Sequence, residues 1–541
     1  MKALALSNSD FKRLRTTDML YVDKTQEIQR LLEDKGTYYF LARPRRFGKS
    51  LFISTLEAFF EGKKELFEGL YIYDKIDWEK HGNYPVIRLN FSLIKSGGSK
   101  AEFEESIIDY LENFYAIPYN FDRRYNNIKT YFFALVTHIY RQTGKQIILL
   151  IDEYDKPITD HIADDKRIED NQEIMRDFYD TIKNLPGYWR MVFITGISKF
   201  ARVSVFSVLN NLTDLSEHDP FHAILGFTRS EIEHYFAPHL QAFAEKEGKT
   251  VAELLDYLQF WYDGYSWDGI HRIYNPYSVL SALYYQKIEG YWYGSGTPKL
   301  LVDFILHRTY HKNTPINKNA KSYENLRVES EFFKSKELEQ LNINHLLYNT
   351  GYLTIDKTKS VDIIKEYYLT YPNYEVRWSF TAYLLYYFYK LPYDEVKLDA
   401  NRLRSALQLG DMPQAISLIR RFFSNIPHEL RKNTDEAYYH ALFQMLMMLI
   451  GVRIKSEESG SMGRADVVLR LPKKIYVIEF KHGKLGTMET LLNKAMQQIE
   501  ENQYTAAFEG DKRRILKLAV GFLEKPRKGK VSELEIDYSL K

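Results

Sequence analysis

A short apolar run, Tyr38–Leu41, leads into Arg43-Pro44-Arg45-Arg46-Phe47-Gly48-Lys49-Ser50, and an amphipathic pattern follows at once over Ser50–Phe60. Strand, tight loop and helix in that order constrain the chain more than any other segment does. Gly48 lets the backbone approach an anion, and the N–H groups at the helix start point at it. Lys49 can reach terminal phosphates and Ser50 can ligate magnesium. The usual phosphate loop opens on a glycine five residues before Gly48, where this chain has Arg43. Taken alone, Gly-Lys-Ser can also be an accidental helix start.

A second apolar run, Ile147–Ile151, ends in Asp152-Glu153. An Asp at the carboxyl end of a sheet strand can hold magnesium, and the next Glu can polarise an attacking water. Two further runs, Val86–Phe91 and Met191–Thr195, read as strands, with Lys100–Phe114 among the helices between them. Short apolar runs alternating with amphipathic helices predict a parallel α/β sheet. The order of the runs fits the additional-strand class of P-loop ATPases. Thr195 is then placed to sense a γ-phosphate, and it reads equally well as a turn residue ending its strand. Arg202 reads as a solvated surface residue. Arg46, Phe47, Gly48, Lys49, Ser50, Asp152 and Thr195 form the candidate nucleotide set, with Glu153 catalytic and Ser50 and Asp152 on the metal.

The pattern changes after the first 290 residues. Helix Ile343–Asn349 precedes a hairpin of Tyr352–Ile355 and Ile363–Leu369, with Asp356-Lys357-Thr358 as its turn. That pattern suggests a winged-helix-like middle region. Leu398–Phe423 reads as one helix ended by Pro427, and the last segment runs helix (Thr434–Ile450), strand, strand, helix (Thr487–Asn502), strand. The expected domains are 1–290, 291–395 and 396–541.

In the last domain Asp466 opens a strand that a turn at Pro472-Lys473-Lys474 folds back onto Lys474–Phe480. Side chains alternate along a strand, so Glu479 and Lys481 share a face with Phe480 behind them. Two carboxylates can hold magnesium, and Lys481 can orient a nucleophile or neutralise charge. A surface hairpin with a Glu–Lys pair would look the same over Glu479–Lys481 alone. Asp466 argues against that, as does Gln498 on the next helix, which could reach the same sheet. Glu436 on the preceding helix could add a third carboxylate. His440 reads as a packed or capping residue.

The net charge of +2 neither requires nor excludes a nucleic-acid groove. The chain has no Cys, which rules out disulfides and thiolate zinc sites and makes a reducing cytoplasm the natural compartment. The first apolar stretch breaks at Ser7-Asn8-Ser9-Asp10, too early for a signal core. The longest apolar helix candidate, Ala441–Val452, is shorter than the roughly 20 residues of a membrane span.

Several segments carry a family resemblance: Tyr21-Val22-Asp23-Lys24-Thr25, Arg43–Ser50, Leu150–Asp155, Thr195–Phe200, Leu209–Leu212, Tyr274-Asn275-Pro276, Leu346–Ile355 and Pro372–Arg377. They resemble the AAA-ATPase-like proteins of bacteria that carry a C-terminal domain of the PD-(D/E)XK nuclease superfamily, and Gly463–Asp466, Glu479–Lys481 and Gln498 match that domain's motif. The resemblance implies that Arg43 belongs to a variant loop rich in phosphate-facing cations, and that Asp466, Glu479 and Lys481 are the nuclease triad. The expected cofactors are ATP and Mg2+, and the expected partner is nucleic acid, DNA before RNA, with no membrane and with homo-oligomers open. An ATP-coupled nuclease is the leading expectation. Its rival is an ATP-driven switch or scaffold whose nuclease-like fold binds DNA or protein without cutting.

Overall fold

The computed structural model describes the chain except residues 7, 200–208, 210, 293–300, 302–324, 335–341, 362–363, 427–435, 451–452, 456–458, 461–462, 472 and 528–529. Arg202 and Pro427 therefore lie outside the described residues, as do the side chains of Glu436 and His440. The chain divides into two compact units, one built mainly from the chain up to Glu375 and the other from Val376–Lys541.

The first unit is organised by a parallel sheet of β1 (Tyr38–Ala42), β2 (Val86–Asn90), β3 (Ile147–Asp152), β4 (Trp189–Gly196) and β5 (Thr213–Asp214). The spatial order is β2-β3-β4-β1-β5, with every neighbouring pair parallel. β1 and β3 are buried along their whole length, as strands covered on both faces must be. β4 lies between β1 and β3, which is the additional-strand arrangement expected from the order of the apolar runs. Helix α1 (Lys49–Phe60) follows β1, and α2 (Lys100–Leu111), α3 (Ile128–Thr143) and α4 (Asp165–Asn184) follow as crossovers and cover. The ends of β1, β3 and β4 thus bring Gly48, Asp152 and Thr195 to one edge of the sheet, where α/β proteins place their ligands.

Further along the first unit come α5 (Pro276–Tyr285), β6 (Leu326–Glu329), α6 (Ile343–Asn349), β7 (Thr354–Val361) and β8 (Ile364–Thr370). Helix and hairpin occur as expected, but β6 adds a third strand in the order β6-β8-β7. Asp356-Lys357-Thr358 is not a turn. It runs inside β7, with a register irregularity between Ile355 and Lys357.

Helix α7 (Tyr374–Tyr389) begins on the last residues of the first unit, and its later turns belong to the second. The stretch read as one helix over Leu398–Phe423 is two, α8 (Tyr393–Leu409) and α9 (Met412–Ser424). Gly410 takes φ 86° after the first, and Asp411 caps the second through Gln414 N. A left-handed glycine followed by an N-cap ends one helix and starts another. Then come α10 (Glu436–Leu449), β9 (Arg453–Lys455), a separate pair β10 (Ser459–Gly460) and β11 (Gly463–Arg464), β12 (Val467–Arg470), β13 (Lys474–Gly483), α11 (Met488–Glu501), β14 (Arg514–Arg527) and β15 (Lys530–Leu540). The sheet order is β15-β14-β13-β12-β9. β13 and β14 are parallel and the other neighbours antiparallel. Ala495, Met496 and Ile499 of α11 pack on Ile475, Val477 and Ala519. Among the described residues no helix is long and apolar enough to cross a membrane.

Candidate functional site

The loop between β1 and α1 is shaped by two left-handed residues, Gly48 at φ 94° as N-cap of α1 and Arg46 at φ 67°. Gly takes that conformation freely; for Arg it costs about 1–2 kcal/mol, so the surroundings must hold it. Phe47, 1% exposed, supplies an anchor. Its ring meets Tyr265 edge-on at 4.7 Å and Trp267 at 5.7 Å. Arg46 lies over the Tyr277 ring at 4.7 Å. The loop lines a cavity of about 680 Å³ that also reaches Ser50, Ser92 and Glu153.

Lys49 is buried and donates to the carbonyls of Arg43 and Pro44, both at 2.9 Å. Burial pulls its ammonium below the ordinary lysine range, while Glu153, Asp152 and Asp155 oppose that shift. Arg43 departs from the expectation of a phosphate-facing cation. It is 1% exposed, lies 3.7 Å over Trp267, and donates to the carbonyls of Ala42 at 3.0 Å and Ser216 at 2.7 Å. Burial lowers its pKa to about 10. The residue in place of the usual glycine is a strut beneath the loop. Pro44 is pressed from the other side by Gly351 (φ 87°), where a Cβ would come within 2.6 Å of the proline ring.

At the ends of β3 and β4, Thr195 Oγ1 donates to Asp152 Oδ1 at 2.9 Å. Asp152 is fully buried, and among the described residues its Oδ2 has no hydrogen-bond partner. A carboxylate oxygen buried and unbonded fits a magnesium ligand, since an unmatched buried charge is otherwise costly. Glu153 takes φ 53° and accepts from the Ser92 hydroxyl. Asp155 accepts from Ile197 N at 3.1 Å, Ser198 N at 2.8 Å and Ser198 Oγ at 2.7 Å. Burial raises its pKa and the Ser198 bonds oppose the rise. Asp155 clamps the segment after Thr195, and Ser92 fixes Glu153. Asp155 stands in the quoted Asp-Glu-Tyr-Asp segment, whereas nothing in the sequence marks Ser92.

In the second unit β12 and β13 pair with Val467 opposite Ile478, which sets Asp466 beside Glu479. Asp466 Oδ2 accepts from Phe480 N at 2.9 Å, and Lys481 Nζ donates to Glu479 Oε1 at 3.2 Å. Glu479 is 1% exposed. Burial pushes its pKa up to about 7, the Asp466 charge adds to the rise and Lys481 opposes it. Two adjacent carboxylates held by main-chain donors, one of them desolvated, fit a divalent cation, which would relieve both effects. Phe480 points the other way, onto Phe443 of α10 at 4.3 Å. The Gln498 amide donates to the Tyr504 hydroxyl at 3.3 Å. Among the described residues no three His, Asp or Glu side chains gather as a metal cluster, and Glu436 opens α10.

Residues 6–206 match the family model described as "Predicted AAA-ATPase". Residues 434–531 match the model of the PD-(D/E)XK nuclease superfamily. A protein of Azotobacter chroococcum mcd 1, described as an uncharacterized protein in the vnfD 5' region, is 31% identical over 530 residues, covering 96% of each chain.

Proposed function

We propose, for a chain that belongs to the AAA-ATPase-like proteins carrying a PD-(D/E)XK nuclease-superfamily domain, that it binds and hydrolyses ATP and couples this to magnesium-dependent cleavage of DNA. The observation that carries the reading is the presence on one chain of a phosphate loop with Asp152–Glu153 and an Asp466–Glu479–Lys481 cluster in which Glu479 is buried.

In the first site the N–H groups opening α1, with Lys49, receive the phosphates. Ser50 and Asp152 would hold magnesium, and Thr195 fixes the orientation of Asp152. Glu153, tethered by Ser92, takes the proton of the attacking water. In the second site Asp466 and Glu479 would hold the metal, and Lys481 balances their charge beside the scissile phosphate. Magnesium, when bound, supplies charge neutralisation and a more acidic water at each site. Glu479 takes part only when ionised, and Lys481 favours that form.

The test is scission of plasmid DNA with Mg2+ and ATP. Asp466→Ala is expected to abolish cutting while leaving ATP hydrolysis in place. Equal cutting by Asp466→Ala and wild type would remove the nuclease assignment. ATP-dependent DNA retention without scission by the wild type would favour the switch or scaffold instead.

A further inference from the structure

The phosphate loop is gripped by two elements outside its own strand and helix. The Arg45 carbonyl accepts from Trp292 Nε1 at 3.2 Å. The Arg46 guanidinium lies over Tyr277 in the first turn of α5. Both grips converge on one carboxylate far along the chain. Ser278, next to Tyr277, donates its hydroxyl to Glu375 Oε2 at 2.7 Å. Trp292 N donates to Glu375 Oε1 at 2.7 Å, and Tyr291 N donates to the same oxygen. Glu375 is 0% exposed and lies in the first turn of α7, the helix whose later turns belong to the second unit.

This circuit is unusual chemistry for a purely structural knot. A buried carboxylate held by neutral donors is expensive, and burial raises its pKa to about 7. The loop end of the circuit is also the part that must respond to an anion. Arg46 is held at φ 67° with its side chain on Tyr277, and both Arg45 and Arg46 line the cavity. A phosphate in the cavity would compete with the tyrosine face for the guanidinium, and Tyr277 and the Arg45 carbonyl are linked to Glu375 through Ser278 and Trp292.

We propose that Glu375 is a positioning residue joining the phosphate loop to helix α7 through Trp292 and Ser278, so that nucleotide in the cavity is felt in the helix leading to the second unit. The inference rests on the ATP-binding reading above and deepens it by naming the route of coupling. A glutamine keeps the oxygen that accepts from Tyr291 N and Trp292 N, and its amide can donate to the Ser278 hydroxyl, which then accepts, so it serves where an alanine fails.

Hydrogen exchange of the amides in 374–389, with Mg2+ and saturating non-hydrolysable ATP analogue, tests this directly. In the wild type the analogue is expected to change exchange in α7 by about fivefold or more. The response is lost in Glu375→Ala and in Trp292→Phe, which keeps an aromatic ring but removes the indole donor and part of the buried ring volume, and it survives in Glu375→Gln. Trp292→Phe also covers the case in which Glu375→Ala does not fold. A wild-type response in Trp292→Phe, or a wild type that binds the analogue with no change in α7, would overturn this inference alone. A wild type that fails to bind the analogue would overturn the ATP reading and this inference together.

Discussion

Replacing Arg43 with alanine separates a strut from a phosphate contact. Two hydrogen bonds from a charged donor to main-chain carbonyls contribute about 1.5–3 kcal/mol each. A desolvated cation over an indole at 3.7 Å contributes about 2 kcal/mol. Against these stands the cost of burying the charge. Among the described residues Nε and Nη2 find no acceptor, and burial lowers the pKa to about 10, which corresponds to roughly 3 kcal/mol. The net loss on Arg43→Ala is therefore about 2–5 kcal/mol of stability in the first unit. Urea unfolding followed by tryptophan fluorescence reads it as a lower midpoint with an unchanged slope. Nucleotide affinity, measured with a fluorescent ATP analogue well below the new midpoint, is expected to stay within about threefold of wild type, since the loss lies beneath the loop. Unchanged stability with an affinity loss of about a hundredfold would refute the reasoning and make Arg43 a phosphate ligand after all.

Thr195→Val removes the donor that orients Asp152; ATP turnover is expected to fall about a hundredfold with little change in binding, read by steady-state phosphate release. Gly351→Ala places a methyl 2.6 Å from the Pro44 ring at φ 87°, which costs about 1–3 kcal/mol and is expected to weaken nucleotide binding about tenfold by calorimetry. Glu375→Gln removes a group whose pKa rises from 4.5 to about 7 on folding. A raised carboxylate gives its full stability below the unfolded pKa and loses it as pH climbs to the folded value, here on the order of 3 kcal/mol between pH 4.5 and 7. The melting temperature of the variant should therefore gain on wild type from pH 5 to pH 8, and a constant difference would count against it.

What the sequence revealed was whatever depends on neighbours in the chain. Ile147–Ile151 and Met191–Ile194 are apolar throughout because both sheet faces are covered, and Gly48-Lys49-Ser50 is a local turn chemistry. Gly410-Asp411-Met412-Pro413 carried a legible stop and start, but the helical period continues across it and masked the break. β15 escaped because its residues are half-exposed and mixed with Ser, Glu and Asp, as at a sheet edge. The role of Arg43 depends on Trp267 and Ser216, and that of Glu375 on Trp292 and Ser278. These partners lie tens to hundreds of residues away, and no local pattern announces them. Strand alternation puts Glu479 and Lys481 on one face, and the hairpin turn puts Asp466 beside Glu479, both local patterns, whereas the bond from Gln498 to the Tyr504 hydroxyl has no such local sign.

Coupling of the two chemistries is the central claim, and one comparison tests it: the rate of DNA scission with Mg2+, with and without ATP, in the wild type and in Lys49→Ala. ATP-stimulated cutting is expected in the wild type, and in Lys49→Ala cutting that no longer responds to ATP. Equal cutting by both proteins, with or without ATP, would contradict it.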